Sequence, residues 1–231
     1  MNVTDRKAIA VAYCATAAPQ ERAVLAFIRG KLATLQPKRL LDYGGGDGQF
    51  AVLCAESLPL QEIVTYDPAP QMTSLARSLC ADFKQIRVTE TTEEIESGTF
   101  DVVTLNGVWM CLTSRRACLD VLSEVARLLR PNGRLLASVT HSCFRTRKFS
   151  NYFTDFNNSE YFNDGTLFNV TIREGTRELH IVDAHWSLTA MSSQLNESGF
   201  AIENLYELPS STSGSNQQDA SLWLVIVARK L

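Results

Sequence analysis

The residues with the clearest chemical potential surround a single turn. Four of the chain's 12 glycines fall within five positions, Gly44, Gly45, Gly46 and Gly48, directly after the short apolar run Arg39-Leu40-Leu41-Asp42-Tyr43. Glycines there let a ligand approach the backbone unhindered, and a helix starting after them offers free N–H groups. Asp67 closes a second apolar run, Glu62 to Tyr66, with a carboxylate that offers two acceptor oxygens. A dinucleotide fingerprint would put its third glycine at position 49, but that residue is Gln49 and the third glycine is Gly48, so the spacing argues against a nicotinamide cofactor. Of three histidines, at 141, 180 and 185, His141 ends a later apolar run and is the candidate general base; a hydrogen-bonded structural role is the alternative.

The periodicity of the chain predicts the elements that position these groups. Val24, Leu25, Ile28, Leu32 and Leu35 recur at helical spacing over 19–35, and Pro37 ends that helix. The glycine turn leads into the helical pattern Phe50, Val52, Leu53, Ala55, and Met72, Leu75, Ala76 and Leu79 mark another helix after Asp67-Pro68. This βαβ alternation predicts an open, mostly parallel sheet. A weaker third strand covers 85–89, and the near-continuous apolar run Phe100 to Leu105 reads as a strand buried on both faces. Leu119, Leu122, Val125, Leu128 and Leu129 form a helix that stops at the turn Arg130-Pro131-Asn132-Gly133, before strand five at 134–140. From Ser142 to about Asp183 the rhythm breaks, and the runs 167–173 and 178–182 flank Glu174 to Arg177 as a hairpin. A helix at 187–198 and strands at 201–208 and 222–229 complete the chain, with a polar loop at 209–218. Ligands of such sheets bind beyond the carboxyl ends of the strands, where the glycine turn, Asp67 and His141 all fall.

Asp42-x-Gly44-x-Gly46-x-Gly48 resembles motif I of the class I S-adenosylmethionine-dependent methyltransferases. The resemblance continues in order through Asp67-Pro68-x-x-x-Met72, Thr91-Thr92, Phe100-Asp101-Val102-Val103, the Leu128 to Leu135 turn and Leu195-x-x-x-Gly199-Phe200. It implies an α/β Rossmann-like sheet of seven mostly parallel strands with helices on both faces, an antiparallel last strand and a lid-like insertion after strand five. It also implies one domain over 1–231, with a helical cap at 1–36 and the insertion at 142–185. The cofactor would be S-adenosyl-L-methionine, leaving as S-adenosyl-L-homocysteine. Asp42, Tyr43, Gly44, Gly45, Gly46 and Gly48 would line it, Asp67 would take the ribose hydroxyls with Pro68 and Met72 beside it, Thr91 and Thr92 would meet the adenine, and Asn106 and Gly107 would supply carbonyls toward the methionine ammonium. Tyr43-Gly44-Gly45 departs from the family's frequent Gly-Cys-Gly.

The acceptor is less legible. Asn106-Gly107-Val108-Trp109 lacks the Asn/Asp-Pro-Pro-Tyr expected of a DNA amino-methylating enzyme, and 141–150 lacks the carboxylates of a metal-dependent type, so no metal is expected. Eight of the 20 aromatics lie in residues 143–168, among them Phe144, Tyr152 and Phe153, against about two for an even spread. They suggest a wall for a flat or apolar small molecule; packing of an added subdomain is the plainer reading. Tyr13, Trp109 and His185 are further candidate wall residues, although Trp186 stands where related enzymes often carry Arg after His. The cluster Arg145-Thr146-Arg147-Lys148 could meet an anionic substrate, but a solvated surface run is the plainer reading. A net charge of −3 over 231 residues disfavours a nucleic-acid partner. No apolar run approaches a membrane span, and six cysteines without a metal-ligand spacing point to reduced thiols in the cytoplasm. The favoured activity is O- or N-methylation of a small aromatic or heterocyclic metabolite. Methylation of a peptide, protein or RNA, or binding of the cofactor without methyl transfer, are the alternatives. Oligomeric state is not legible.

Overall fold

A computed structural model describes residues 19–211 and 218–231. Tyr13 and the first half of the expected cap at 1–36 lie outside them, as does the middle of the 209–218 loop. Helix α1 (Pro19–Leu35) leads into β1 (Arg39–Tyr43), α2 (Gln49–Ser57), β2 (Glu62–Tyr66), α3 (Pro70–Leu79), β3 (Ile86–Thr89) and β4 (Phe100–Asn106). They are followed by α4 (Arg115–Leu128), β5 (Leu129–Thr140), β6 (Tyr152–Thr154), β7 (Leu167–Glu174), β8 (Arg177–Ala184), α5 (Leu188–Glu197), β9 (Phe200–Ser211) and β10 (Gln218–Lys230). Seven strands form one sheet in the order β3-β2-β1-β4-β5-β10-β9, and β6-β7-β8 form a separate three-stranded sheet.

Strands β1 to β5 run parallel, and β10 is antiparallel to both β5 and β9. The order reverses between β1 and β4, the switch point beside which open α/β sheets hold ligands. The strands there are apolar because helices cover both faces: α1, α2 and α3 pack on one another, and α4 on α5. Val24, Ile28 and Leu32 of α1 are buried, and Phe27 packs edge-on against Tyr206 with ring centroids 5.2 Å apart. Ser114 and Ser187 cap α4 and α5, each hydroxyl accepting the N–H three residues on.

Strand β5 starts five residues earlier than the turn chemistry predicts. Leu129 already pairs with Phe100, and the register resumes at Arg134 with Val102, so Arg130 to Gly133 form a bulge within the strand, with Asn132 at φ 61°. The Asp101 carboxylate accepts the Lys38 and Arg39 N–H groups and pairs with Arg130 at 2.6 Å, tying the starts of β1, β4 and β5 together. Among the described residues, no helix is long and apolar enough to cross a membrane.

Candidate functional site

The first half of the site forms where β1 and β2 end. Gly44 and Gly45 donate to the Tyr66 carbonyl at 2.7 and 2.9 Å, drawing the glycine turn against the end of β2. The Gly46 N–H donates to Asp67 Oδ2 at 3.1 Å and the Ala69 N–H to Oδ1 at 2.9 Å, so the turn itself orients the Asp67 carboxylate. Gly48 sits at φ 84° as the N-cap of α2, a conformation that costs glycine least. Tyr43 and Tyr66 pack edge-on 4.7 Å apart at the two strand ends, and the Met72 methyl lies beneath Gly46.

Asp42 lies under the turn, 1% exposed. Its Oδ1 accepts the Thr104 hydroxyl at 2.8 Å and the Asn106 amide at 3.4 Å, but its buried Oδ2 makes no hydrogen bond. Burial pushes the carboxyl up to about 6 against those two bonds, and the charges of Asp67 and Asp47 push the same way. Burial also raises Asp67, opposed by its two backbone donors. Three carboxylates around a glycine turn, one with a free buried oxygen, fit a ligand that brings positive charge and a diol. S-adenosylmethionine, with its ammonium, sulfonium and ribose, has that chemistry.

Thr91 and Thr92 follow β3. Thr91 is exposed, while the Thr92 hydroxyl donates to Glu124 at 2.6 Å. Arg127 holds the same turn to α4, donating to the Thr92 and Ile95 carbonyls at 3.0 and 2.8 Å and pairing with Glu124 at 2.7 Å. Arg127→Ala removes both carbonyl contacts. The expected result is a melting temperature lower by roughly 2–6 °C, from about 1–1.5 kcal/mol of lost charge-assisted bonding, with several-fold weaker cofactor binding by calorimetry. Unchanged affinity would mean that the turn does not contribute.

The carboxyl ends of β4 and β5 and the insertion form the second half, and here several expectations are corrected. Trp109 does not face the cleft: it is 0% exposed and its indole N–H donates to Gln194 of α5 at 2.9 Å. The 3-10 turn Trp109–Cys111 rotates it into the core and leaves Cys111 outward. Tyr152 and Phe153 alternate across β6. Tyr152 points inward, whereas the Phe153 ring carries the Arg173 guanidinium 4.7 Å from its centroid and belongs to the other face. Phe149, Tyr152, Phe156 and Phe168 are buried in the core cluster, so most of the aromatic excess packs the small sheet.

His141 lies at the end of β5 with both ring nitrogens engaged. Nε2–H donates to Glu207 at 2.7 Å, Nδ1 accepts the Cys143 N–H at 3.2 Å, and Phe144 stacks edge-on at 4.8 Å. Burial lowers its pKa, partly offset by Glu207. His185 is buried likewise. Its Nδ1 accepts Arg145 Nε–H at 3.0 Å and its Nε2–H donates to the Tyr161 carbonyl at 2.9 Å, which defines a neutral tautomer. Burial and the Arg145 charge lower its pKa, opposed by the bond to the Tyr161 carbonyl. Neither histidine is free to take a proton. Arg145, expected in a solvated run, is 2% exposed. It donates Nη1 to Thr140 Oγ1 at 2.8 Å and lies 4.6 Å from the Phe168 ring centroid.

The buried Asp183, at the end of β8, was missed by sequence reasoning. Its signal was present: an acid between Val182 and Ala184 near the end of a strand that turns into His185-Trp186.

Residues 17–205 match the family model described as a methyltransferase domain. The chain belongs to this methyltransferase family. Over 113 residues the chain is 36% identical to a demethylmenaquinone methyltransferase of Deinococcus radiodurans, the match covering 43% of the chain and 42% of that relative. The chain thus matches less than half the length of such curated relatives. Its fold is that of the class I S-adenosylmethionine-dependent methyltransferases. A structure from Mesorhizobium loti superposes with a TM-score of 0.63 at 18% identity, over 87% of this chain and 96% of that one. The 1,6-didemethyltoxoflavin-N1-methyltransferase of Burkholderia thailandensis, solved with 1,6-didemethyltoxoflavin and S-adenosylhomocysteine, superposes with a TM-score of 0.60 at 19% identity, over 92% and 78% of the two chains.

Proposed function

We propose that this protein transfers a methyl group from S-adenosylmethionine to a nitrogen or oxygen of a small, flat heterocyclic or aromatic metabolite. The observation that carries the reading is the anionic cradle at the switch point, where the free Oδ2 of Asp42 and the turn-oriented Asp67 carboxylate converge on the glycine turn. Asp67 binds the ribose hydroxyls with the lone pairs its two backbone donors leave open. Asp42 Oδ2 and the carbonyls of Asn106 and Gly107 receive the ammonium, relieving an unsatisfied buried carboxylate oxygen. Gly44, Gly45 and Gly46 keep side chains out of the methionine's path, with Tyr43, Pro68 and Met72 beside it and Thr91 and Thr92 at the adenine end.

When bound, the cofactor supplies a methyl group on a sulfonium, which leaves as a neutral thioether. The chain's main contribution is then to hold donor and acceptor in line and dry, which is worth roughly 7–11 kcal/mol. The insertion at 142–185 closes the acceptor side as a lid. A reducing, cytoplasmic setting belongs to the same proposal, supported by free thiols at Cys54, Cys80, Cys111, Cys118 and Cys143. The relatives named above, a demethylmenaquinone and a 1,6-didemethyltoxoflavin methyltransferase, support a small-molecule acceptor over a macromolecular one.

Isothermal titration with S-adenosylhomocysteine is expected to give one site per chain, weakened at least tenfold by Asp67→Asn, which removes one anionic acceptor. No binding by the unaltered protein would end this reading. A screen of small phenols, amines and heterocycles for S-adenosylhomocysteine release then identifies the acceptor class, and turnover of a peptide or RNA alone would overturn the small-molecule part.

A further inference from the structure

Beyond the cofactor cradle, the described residues hold a second concentration of buried polar atoms without partners. Asp183 is 1% exposed and neither carboxylate oxygen makes a hydrogen bond. Arg145 Nη2 and Tyr152 Oη are also buried and neither makes a well-formed hydrogen bond, although the two lie close to each other and Tyr152 close to Thr140. The Arg145 guanidinium lies 4.6 Å from the ring of Phe168, the cross-strand partner of Asp183 on β7, and the Asp183 charge acts on both Arg145 and Tyr152. Yet Asp183 and Arg145 form no ion pair. A guanidinium and a carboxylate left apart in a low-dielectric interior are each strongly destabilised, and native interiors satisfy such atoms with a bound molecule or water.

The position of the cluster relates it to the reaction. Arg145 is anchored to Thr140, at the carboxyl end of β5, and to His185, which follows β8. Strand β8 packs against the 3-10 turn Trp109–Cys111 after β4. Cys111 has an exposed surface, yet burial pushes its thiol up to about 12, with Asp183 and Asp67 adding to the rise. Its Sγ–H donates to the Gly107 carbonyl at 3.4 Å, at the carboxyl end of β4.

We infer that Asp183, Arg145 and Tyr152 are the acceptor site, binding a flat heterocycle through a ring N–H beside a carbonyl oxygen, with Asp183 accepting the proton of that N–H. The inference deepens the methyl-transfer reading and rests on it. Two carboxylate acceptor sites next to two donors, a guanidinium and a phenol, match the donor–acceptor edge of a cyclic amide or imide. Phe156 and Phe168 flank the cluster through His185 and Arg145, their rings 4.5 Å from the imidazole and 4.6 Å from the guanidinium. In the reaction the proton passes to a carboxylate oxygen, the freed lone pair forms the N–C bond, and the C–S electron pair stays on the departing thioether. Burial holds the Asp183 carboxyl at about 7, opposed only by Arg145, which suits a base working near neutrality. The ionisable groups facing it are Arg145, Tyr152 and Cys111, and burial keeps both Tyr152 and Cys111 in their neutral forms.

The test titrates lumazine, xanthine and quinazolinedione, with doubly N-methylated lumazine as the blocked control, into the protein saturated with S-adenosylhomocysteine, and assays the same compounds for turnover with S-adenosylmethionine. At least one N–H compound is expected to bind and react, and the blocked control to do neither. Asp183→Asn is expected to lower kcat at least 100-fold and to abolish the acidic limb of the pH profile near 7. Tyr152→Phe is expected to raise KM about tenfold with kcat nearly retained, and both variants to keep unaltered S-adenosylhomocysteine affinity. S-adenosylhomocysteine binding without response to any N–H compound overturns the acceptor class. Turnover by Asp183→Asn within tenfold of the unaltered protein overturns the base. Failure of the unaltered protein to bind S-adenosylhomocysteine overturns the methyl-transfer reading instead.

Discussion

Gly45→Ala is expected to bring S-adenosylhomocysteine binding below detection and to lower the melting temperature by roughly 6–12 °C, from about 3 kcal/mol of overpacking. A Cβ at this position would lie 2.1 Å from Thr65 Oγ1 and 2.6 Å from Asp42 Oδ2. Neither neighbour can withdraw, because Asp42 and Thr65 are buried register partners across β1 and β2. The turn would therefore have to move. With it would go the Gly46 N–H that orients Asp67 and the hydrogen bonds from Gly44 and Gly45 to the Tyr66 carbonyl. The double variant Gly45→Ala/Thr65→Ala removes the shorter contact and leaves the one to Asp42. It is expected to recover part of the stability and none of the binding. Thermal melts and calorimetry on both variants check this, and undiminished binding by Gly45→Ala would show that the turn does not carry the site.

The strand-end geometry behind the proposed cofactor half was legible because its determinants are local. The spacing of Gly44 to Gly48, an acid ending β2 and the apolar strands between them are properties of short segments, and parallel strands place all of them at one edge. The start of β5 was not legible for an equally local reason. Arg130-Pro131-Asn132-Gly133 has turn composition, and only the pairing of Leu129 with Phe100 shows that strand resumes before it.

The acceptor half depends on side-chain direction, which residue type and order do not encode. Trp109 and Cys111 are two residues apart on one 3-10 turn, and its rotation decides that the indole meets Gln194 while the thiol meets the Gly107 carbonyl. Arg145 stands beside Thr146, Arg147 and Lys148, all exposed, and the helical turn Ser142–Phe144 alone swings it inward toward Thr140 and His185. Position at the end of β5 made His141 the candidate base. Its bonds to Glu207 and Cys143 make it a brace between β9 and the start of the insertion, and the proton-accepting role passes to a carboxylate whose sequence neighbours are apolar. What an alternating pattern shows is which residues share a face. Whether the polar members of that face find partners is a question of tertiary contact.

Asp183→Asn is expected to raise the melting temperature of the ligand-free protein at pH 8 by roughly 2–8 °C, although the same variant loses acceptor chemistry. In the folded protein burial holds the Asp183 carboxyl at about 7, against 3.8 for an exposed aspartate. Between those values the folded state binds a proton that the unfolded state has released, so the group's contribution to stability falls as pH rises and is lowest once pH passes the folded value. A shift of about three units corresponds to a ceiling of roughly 4 kcal/mol, and the cost of burying the asparagine amide leaves about 1–2 kcal/mol of net gain. The attraction of Arg145 is already included, since it is the only influence that lowers Asp183, and desolvation still prevails. Asp42 carries a penalty of the same sign, and the lowered His185 and His141 have the opposite dependence, losing their contribution as pH falls below about 6.5. All three act alike in both proteins and cancel in the difference. Melting curves from pH 4 to pH 8 should therefore converge at the acid end and separate progressively up to about pH 7. Parallel curves, or a less stable variant at pH 8, would show that Asp183 is a satisfied structural carboxylate. A gain in stability on removing a charged side chain marks a residue retained for what it does to a ligand, not for what it does to the fold.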